Sequence, residues 1–249
     1  MSKSRYVTGL RAVEQLLTSS NAEVNRIFAE YRSANPRVEE VLVKAREAGI
    51  DIQSANRARL QQMSGEARHQ GIVAEIRRTT VLDEAGLRSM IEEKLSAGKV
   101  PLLLMLDGVQ DPHNLGACMR TADAAGVDAI IVPRHGAAGL SPTVSKVAAG
   151  AAEHLPFALV ANLGRVLDWL ADYGVKRVAT SDQAEKNLYE EDLTGPAVFV
   201  MGREETGVSK RIARRCDLFI RLPMLGEVAS LNVSVATGIC LFEARRQRG

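Results

Sequence analysis

The sequence is poor in the features that mark disulfide-rich, metal-binding and membrane proteins. Only three cysteines occur among 249 residues, Cys118, Cys216 and Cys240, and no two of them form a CxxC pair. An odd and widely spaced set is neither a disulfide framework nor a zinc site. No apolar run approaches the roughly 18–20 residues that a membrane-spanning helix needs. We therefore expect neither a membrane span nor a bound metal.

A secretory signal is also lacking at the start of the sequence. The segment Met1–Tyr6 contains two basic residues, but no apolar segment follows it. A signal peptide requires such a segment, so we expect a cytoplasmic protein. Hydrophobic residues make up 46% and charged residues 25% of the chain, which excludes a disordered or collagenous protein.

The charge is small and unevenly distributed. The formal net charge is only +2. Residues 1–78 hold 13 Lys and Arg against 9 Asp and Glu, a balance of +4, whereas residues 79–249 have a balance of −2. A basic front segment can contact RNA phosphates. On charge alone, however, a solvated surface is the commoner explanation of so small an excess.

The front of the chain alternates helix and strand patterns. They predict, in chain order, a helix over Arg11–Leu17, a strand over Val24–Ala29, a helix from Asn35-Pro36 to a C-cap at Gly49, a strand over Ile50–Gln53, a helix over Arg57–Met63 and a strand over Gly71–Ile76. Asn is a favoured N-cap and Pro a favoured first helical residue. We expect a small α/β domain over residues 1–78 and a connecting segment with a helix over residues 79–98.

The rear of the chain, residues 99–249, contains continuous apolar runs. Strands are predicted within Pro101–Asp107 and over Ala129–Val132, Arg177–Thr180 and Ala197–Met201. Such runs are typical of strands buried on both faces of a parallel sheet. Ligands of open parallel α/β sheets bind beyond the carboxyl ends of the strands. Chemistry is therefore expected in the loops that follow these strands.

Three loops fit this position. The first follows Asp107 and leads to Asn114, a predicted cap of a helix over Leu115–Ala125, and to Arg120, which spacing alone favours as a surface residue. The second is Gly202-Arg-Glu-Glu-Thr-Gly207, which is neither a GxGxxG fingerprint nor a Walker loop. The third runs from Leu222 through Ser230 into a C-terminal helix. There Ser230 is a plausible N-cap, which would leave Asn232 unexplained.

Three blocks of sequence carry a resemblance to a known family. They are LDGVQDPHNLGACMRTADAAGVDAIIVP, FVMGREETGV and LPMLGEVASLNVSVATGICLFEARRQR, in that order along the chain. Together they resemble the SPOUT class of RNA methyltransferases, in its SpoU/TrmH branch. The front segments VTGLRAVEQLL and HQGIVAEI resemble the small substrate-binding domain of the same branch. The resemblance thus covers nearly the whole chain.

The resemblance implies a fold, a cofactor and a site. The fold is a parallel-sheet α/β methyltransferase domain with a C-terminal trefoil knot, preceded by the small α/β domain, in a homodimer. The cofactor is S-adenosylmethionine, held by Gly202, Leu222 and Leu231. The residues implied around the transferred methyl group are Arg120, Glu204, Ser230 and Asn232, with Asn114 supporting the first loop.

The implied reaction is methyl transfer to a ribose 2′-hydroxyl in RNA, at a guanosine of 23S rRNA. Alternatives are a tRNA enzyme or an antibiotic-resistance rRNA enzyme of the same branch, and a catalytically silent RNA-binding assembly factor. Because a guanidinium stays protonated in proteins, we expect Arg120 to act electrostatically rather than as a base. Backbone contacts to RNA are expected from basic residues of the front domain: Arg57, Arg59, Arg68, Arg77 and Arg78.

Overall fold

The computed structural model describes residues 5–18, 24–31, 35–65, 69–76, 81–228 and 230–249. Arg68, Arg77 and Arg78 lie outside the described residues. The chain divides into two compact units, residues 1–80 (unit 1) and residues 81–249 (unit 2). Each is an α/β structure with its own sheet.

Unit 1 is built on a four-stranded mixed sheet of order β1-β4-β2-β3. Its elements are β1 (Arg5–Thr8), α1 (Leu10–Thr18), β2 (Val24–Glu30), α2 (Pro36–Glu47), β3 (Asp51–Ala55), α3 (Arg57–Ser64) and β4 (Ile72–Ile76). Strand β4 pairs antiparallel with β1 and β2, while β2 and β3 are parallel. The six predicted elements are confirmed, with bounds shifted by at most two residues, whereas β1 was not predicted.

Local signals in unit 1 act largely as expected. Asn35 caps α2 by accepting a hydrogen bond from the Arg37 backbone N–H at 3.1 Å, and Pro36 opens the helix. The predicted C-cap at Gly49 is one residue too late, because Ala48 is the cap. Gly49 follows at φ +71°, the left-handed conformation that glycine adopts without strain.

The two faces of this sheet are covered unequally. One face packs on α1 and α2 through a core that includes Val13, Ile27 and Val41. The other face holds a cluster of only four buried residues, centred on Phe28 and Leu60, with α3 above it. The guanidinium carbon of Arg59 lies 5.8 Å from the centre of the Phe28 ring.

Unit 2 is built on seven strands of order β7-β6-β5-β10-β8-β11-β9. Its strands are β5 (Leu102–Leu106), β6 (Ala129–Pro133), β7 (Phe157–Val160), β8 (Lys176–Thr180), β9 (Lys186–Asn187), β10 (Ala197–Met201) and β11 (Leu218–Arg221). Its helices are α4 (Glu84–Ser96), α5 (Pro112–Ala124), α6 (Pro142–Ala148), α7 (Ala151–His154), α8 (Leu163–Asp172), α9 (Lys210–Ala213) and α10 (Val233–Arg248), with one 3-10 turn at Leu188–Glu190.

Every neighbouring pair of strands in unit 2 is parallel, as the apolar runs predicted. All residues of the central strands β5 and β10 are buried. Successive side chains point to opposite faces, so Leu104 and Phe199 enter one core layer while Leu103 and Val198 enter the other. This double burial explains why these strands are apolar throughout.

The helix predicted in the connecting segment is α4, and it forms part of unit 2. Leu87 and Ile91 are fully buried in the same core layer as Leu103. Leu82 adds a short parallel bridge to Ala158 of β7. From residue 81 onward, the segment is therefore packed into the second unit.

The last helix, α10, is fixed at its C-terminal end by side-chain contacts. The Arg248 guanidinium donates to the carbonyls of Leu193 at 3.0 Å and Gly195 at 2.6 Å. Gln247 accepts from the Leu193 backbone N–H at 2.8 Å and donates to the Glu191 carbonyl at 3.0 Å. Burial lowers the pKa of Arg248 from its ordinary value.

Two absences apply to the described residues. None of their helices has both the length and the apolar character needed to cross a bilayer. No group of three or more His, Cys, Asp and Glu side chains in these ranges is arranged to hold a metal ion.

Candidate active site

The loops that follow β5 and β10 are tied together at the carboxyl edge of the sheet. The Asp107 backbone N–H donates to the Met201 carbonyl at 2.8 Å. The Asp107 carboxylate accepts from the backbone N–H of Ser209 at 2.8 Å. Because the two strands are direct neighbours, these bonds fix the first and second loops relative to each other.

The first loop leads into α5, but not as the sequence predicted. The cap is Asp111, whose carboxylate accepts from the His113 backbone N–H at 2.9 Å, and Pro112 takes the first helical position. The prediction that Asn114 caps this helix was wrong. Since the helix begins earlier, Asn114 lies inside its first turn and its amide is available for contacts outside the helix.

The second loop closes on itself and presents Glu204. The backbone groups of Arg203 and Gly207 exchange two hydrogen bonds, of 3.1 and 2.9 Å. Gly202, just before this closed loop, packs directly against its backbone. A Cβ atom at this position would lie 2.0 Å from the carbonyl carbon of Gly207. No real Cβ contact is that short, so only glycine fits at position 202.

Three side chains from the three loops form one hydrogen-bond network. The Asn114 amide nitrogen donates to Glu204 Oε1 at 3.0 Å. The Asn232 amide nitrogen donates to the same Oε1 at 2.6 Å and to Asn114 Oδ1 at 2.9 Å. Each of the three side chains therefore contacts the other two, although they are 28 to 118 residues apart along the chain.

Asn232 is also the N-cap of α10. Its Oδ1 accepts from the Ser234 backbone N–H at 2.9 Å and from the Ser234 hydroxyl at 2.6 Å. The proposed cap at Ser230 was therefore wrong. Asn232 serves two purposes, since its oxygen caps the helix and its nitrogen joins the network.

The structure does not bring every expected residue into this network. Arg120 is exposed on α5 and makes no hydrogen bond or ion pair with a described residue. It lies six residues after Asn114, which on an α-helix is about 9 Å along the axis and roughly 120° around it. Ser230 is exposed and likewise makes no hydrogen bond within the described ranges.

The three residues expected at the cofactor lie near the same edge. Gly202 is buried at the end of β10, and Leu222 and Leu231 are half-buried on either side of the third loop. Between them, the peptide groups of residues 223–228, 230 and 231 form no hydrogen bond with any described residue. This segment thus combines apolar side chains with unpaired backbone donors and acceptors.

Helices α5 and α10 pack closely beneath the network. The Thr237 hydroxyl donates to the Val233 carbonyl at 2.7 Å and lies 3.7 Å from the Cys118 sulfur. Burial raises the pKa of the Cys118 thiol to about 11. This cysteine is therefore a packing residue rather than a nucleophile.

Sequence reasoning missed three contributors to this site: Asp107, Asp111 and Ser234. An Asp-Pro pair before a helical pattern is a cap signal, so Asp111 was detectable. The contact of Asp107 with Ser209 joins residues 102 apart and had no local signal. Ser234 contacts Asn232 from two residues away, within the first turn of α10, so that contact was detectable.

Comparison with known proteins agrees with this architecture. Residues 101–242 match the SpoU rRNA Methylase family, and residues 6–81 match the RNA 2′-O ribose methyltransferase substrate-binding family. A relative from Pseudomonas putida, the 23S rRNA (guanosine-2′-O-)-methyltransferase RlmB, is 45% identical over 248 residues, covering 100% of this chain and 98% of that protein.

Solved structures show the same relationship. An rRNA methyltransferase from Sinorhizobium meliloti with bound AdoMet superposes with a TM-score of 0.72 at 28% identity, covering 98% of this chain and 87% of that one. The TrmH/SpoU tRNA modifying enzyme of A. aeolicus is 34% identical with a TM-score of 0.55, but covers only 64% of this chain and 84% of its own. The chain therefore belongs to the SpoU rRNA methylase family.

Proposed function

We propose that the protein transfers a methyl group from S-adenosylmethionine to a ribose 2′-hydroxyl of RNA. The observation that carries this proposal is the network of Asn114, Glu204 and Asn232, which lies where a parallel sheet binds its ligands. The full-length match to RlmB supports the same reaction.

The third loop and Gly202 suit the cofactor. The unpaired peptide groups around Leu222 and Leu231 can hydrogen-bond the edge of an adenine, and the neighbouring apolar side chains can cover its faces. The structure of the S. meliloti relative with bound AdoMet supports this assignment. S-adenosylmethionine supplies a methyl carbon on a sulfonium, which is already activated toward a nucleophile.

The protein's main task is then to align the ribose oxygen. Enforced near-attack geometry contributes roughly 7–11 kcal/mol to such reactions. Glu204 Oε1 is held by two amide donors. Its Oε2 makes no hydrogen bond to a described residue and is available to orient the ribose or accept its proton.

Arg120 is proposed to contact the RNA. As an exposed guanidinium without an ion-pair partner among the described residues, it can bind the phosphate beside the target ribose with two parallel hydrogen bonds and stabilise the developing alkoxide. The variant Arg120→Lys keeps the charge but loses the planar fork. We expect a large fall in turnover with little change in the Kd for S-adenosylmethionine; equal losses in both would contradict this role. Ser230 is proposed to lie near the transferred methyl group.

The proposed substrate is a guanosine of 23S rRNA, as in the RlmB relatives. We propose that residues 1–78 bind the RNA, that residues 79–98 connect the two domains, and that residues 99–249 catalyse methyl transfer. The match of residues 6–81 to a substrate-binding family supports this division. A tRNA substrate is less favoured, because the A. aeolicus enzyme matches only 64% of the chain.

We further propose a cytoplasmic homodimer with a trefoil knot at its C-terminal end. Exposed apolar side chains near the third loop and along α10 support association with a second copy: Leu225 at 99%, Val228 at 66%, and Val235 and Phe242 at 50% exposure. The knot is supported by membership of the family, and a crystal structure with an unknotted C-terminal region would contradict it.

One experiment tests the proposed function directly. The purified protein is incubated with methyl-labelled S-adenosylmethionine and separate 23S rRNA and tRNA fractions from cells that lack it. We expect label at a single 2′-O position of 23S rRNA, mapped against RNA from cells with the protein. Label in tRNA alone would show that the substrate is tRNA rather than rRNA. Label in neither fraction would favour a catalytically silent RNA-binding factor.

A further inference from the structure

The polarity of the network depends on the orientation of two amides. An Asn side chain can turn by 180° and exchange its donor for its acceptor. Asn114 and Asn232 both have this freedom, and they hydrogen-bond to each other. Something of fixed polarity must therefore decide which way both amides face.

Two groups of fixed polarity contact these amides: the Glu204 carboxylate, which only accepts, and a backbone N–H at the start of α10, which only donates. The Ser234 backbone N–H is only a donor, and it points at Asn232 Oδ1 from 2.9 Å. The Ser234 hydroxyl donates to the same oxygen at 2.6 Å. With both lone pairs of Oδ1 engaged, the Asn232 amide nitrogen must face Glu204 and Asn114.

The orientation of the Asn232 amide in turn determines the orientation of the Asn114 amide. Because the Asn232 nitrogen donates to Asn114 Oδ1, the Asn114 nitrogen is directed toward Glu204. Turning the Asn232 amide would place its nitrogen against the Ser234 N–H and its oxygen against the Glu204 carboxylate. Both contacts are repulsive.

From these contacts, and resting on the proposed methyl transfer, we propose that Ser234 is a positioning residue. Its hydroxyl adds a second donor to Asn232 Oδ1 and so holds the amide in the orientation that Glu204 also favours, in which Asn232 and Asn114 both donate to Glu204 Oε1 and Oε2 is left for the substrate. Ser234 contacts neither substrate nor cofactor in this scheme, and it differs from Ser230, which has no hydrogen bond within the described ranges.

The test separates positioning from simple helix capping. Ser234→Ala removes the hydroxyl but keeps the backbone N–H that caps α10, so the melting temperature should change little. We expect kcat for RNA methylation to fall about fivefold, the effect that the loss of one hydrogen bond typically has. The KM for S-adenosylmethionine should be unchanged. Ser234→Thr retains the hydroxyl and should restore most of the activity. Ser145→Ala, which removes a serine hydroxyl on α6 that makes no hydrogen bond to a described residue, is the matched control.

A second measurement needs no RNA. In ¹⁵N NMR spectra, the side-chain NH₂ protons of Asn232 should exchange with solvent faster in Ser234→Ala than in the wild type. If exchange and kcat both match the wild type, or if kcat falls only together with the melting temperature, the positioning role is wrong. Failure of the wild type to methylate any RNA would instead refute the proposed function, and the exchange measurement would still decide the role of Ser234.

Discussion

Units 1 and 2 are both α/β structures, yet they use their sheets differently. In unit 2, seven parallel strands are covered on both faces, and their carboxyl ends bring distant loops to one edge. In unit 1, a mixed sheet has one deep core and one small cluster. The described polar contacts of unit 1 include surface ion pairs such as Arg26–Asp51 at 2.6 Å, rather than a network joining separate loops. This difference fits the proposal that unit 2 carries the chemistry and that unit 1 binds the RNA.

The largest effect is expected from a substitution at the carboxyl edge of the parallel sheet in unit 2. Gly202→Ala would place a Cβ 2.0 Å from one backbone atom and 2.1 Å from another. We expect either a loss of about 1–3 kcal/mol or more in the free energy of unfolding, the usual cost of overpacking, or a displaced Glu204 loop. Methyl transfer should become undetectable. The control Gly139→Ala meets nothing within 4 Å, and it should behave as the wild type in thermal melts and in the assay.

The second comparison uses an asparagine cap from each unit. Asn232 caps α10, and Asn56 caps α3 by accepting from the Arg59 backbone N–H at 2.8 Å. Replacing either with Ala should cost about 1 kcal/mol of stability. Only Asn232→Ala should also reduce kcat, by about 100-fold or more, because it removes two donors from the network. Equal kinetic effects in both variants would show that the network is structural only.

The third comparison concerns RNA affinity. Arg57 and Arg59 are exposed in unit 1 and form no ion pair with a described residue, whereas Arg46 is paired with Glu39 at 2.8 Å. The double variant Arg57→Gln/Arg59→Gln should raise the RNA Kd several-fold and reduce the slope of log Kd against log salt by about one for each phosphate that is no longer bound. Arg46→Gln should leave this slope unchanged, and S-adenosylmethionine binding should not respond to either variant.

The smallest expected effect is a pH dependence in unit 2. Hydrogen bonds from Arg246 and Gln247 lower the pKa of Glu243 from 4.5 to about 2. A carboxylate with a lowered pKa stabilises the folded state at neutral pH, and this contribution disappears as the pH falls from about 4.5 toward 2. The stability difference between the wild type and Glu243→Gln should shrink over that window. Fluorescence of Trp169, the single tryptophan and a buried residue of unit 2, reports the transition.

The parts of the fold that could be predicted are those determined by residues close together in the sequence. Strand β10 was predictable because burial on both faces requires apolar residues throughout. Helix α2 was predictable because Asn35 and Pro36 act within one turn. The start of α5 was misplaced because Asn114 was preferred to Asp111 as the cap, although the Asp111-Pro112 pair is itself a local cap signal.

The site was only partly predictable for the same reason. The resemblance named Asn114, Glu204 and Asn232, and the structure brings these three together. Asn232 caps its helix through a contact only two residues away, which is a local signal, but no local pattern could show that its nitrogen joins Asn114 and Glu204. Nor could spacing show that Asp107 joins the first two loops through the backbone of Ser209, 102 residues later.

The self-closed second loop has a practical consequence for directed evolution. Its two ends are joined through main-chain atoms of Arg203 and Gly207, and codon randomisation leaves such bonds in place. The tip residues Glu205 and Thr206 are exposed. Substitutions at these two positions should therefore leave the closed loop and the position of Glu204 intact.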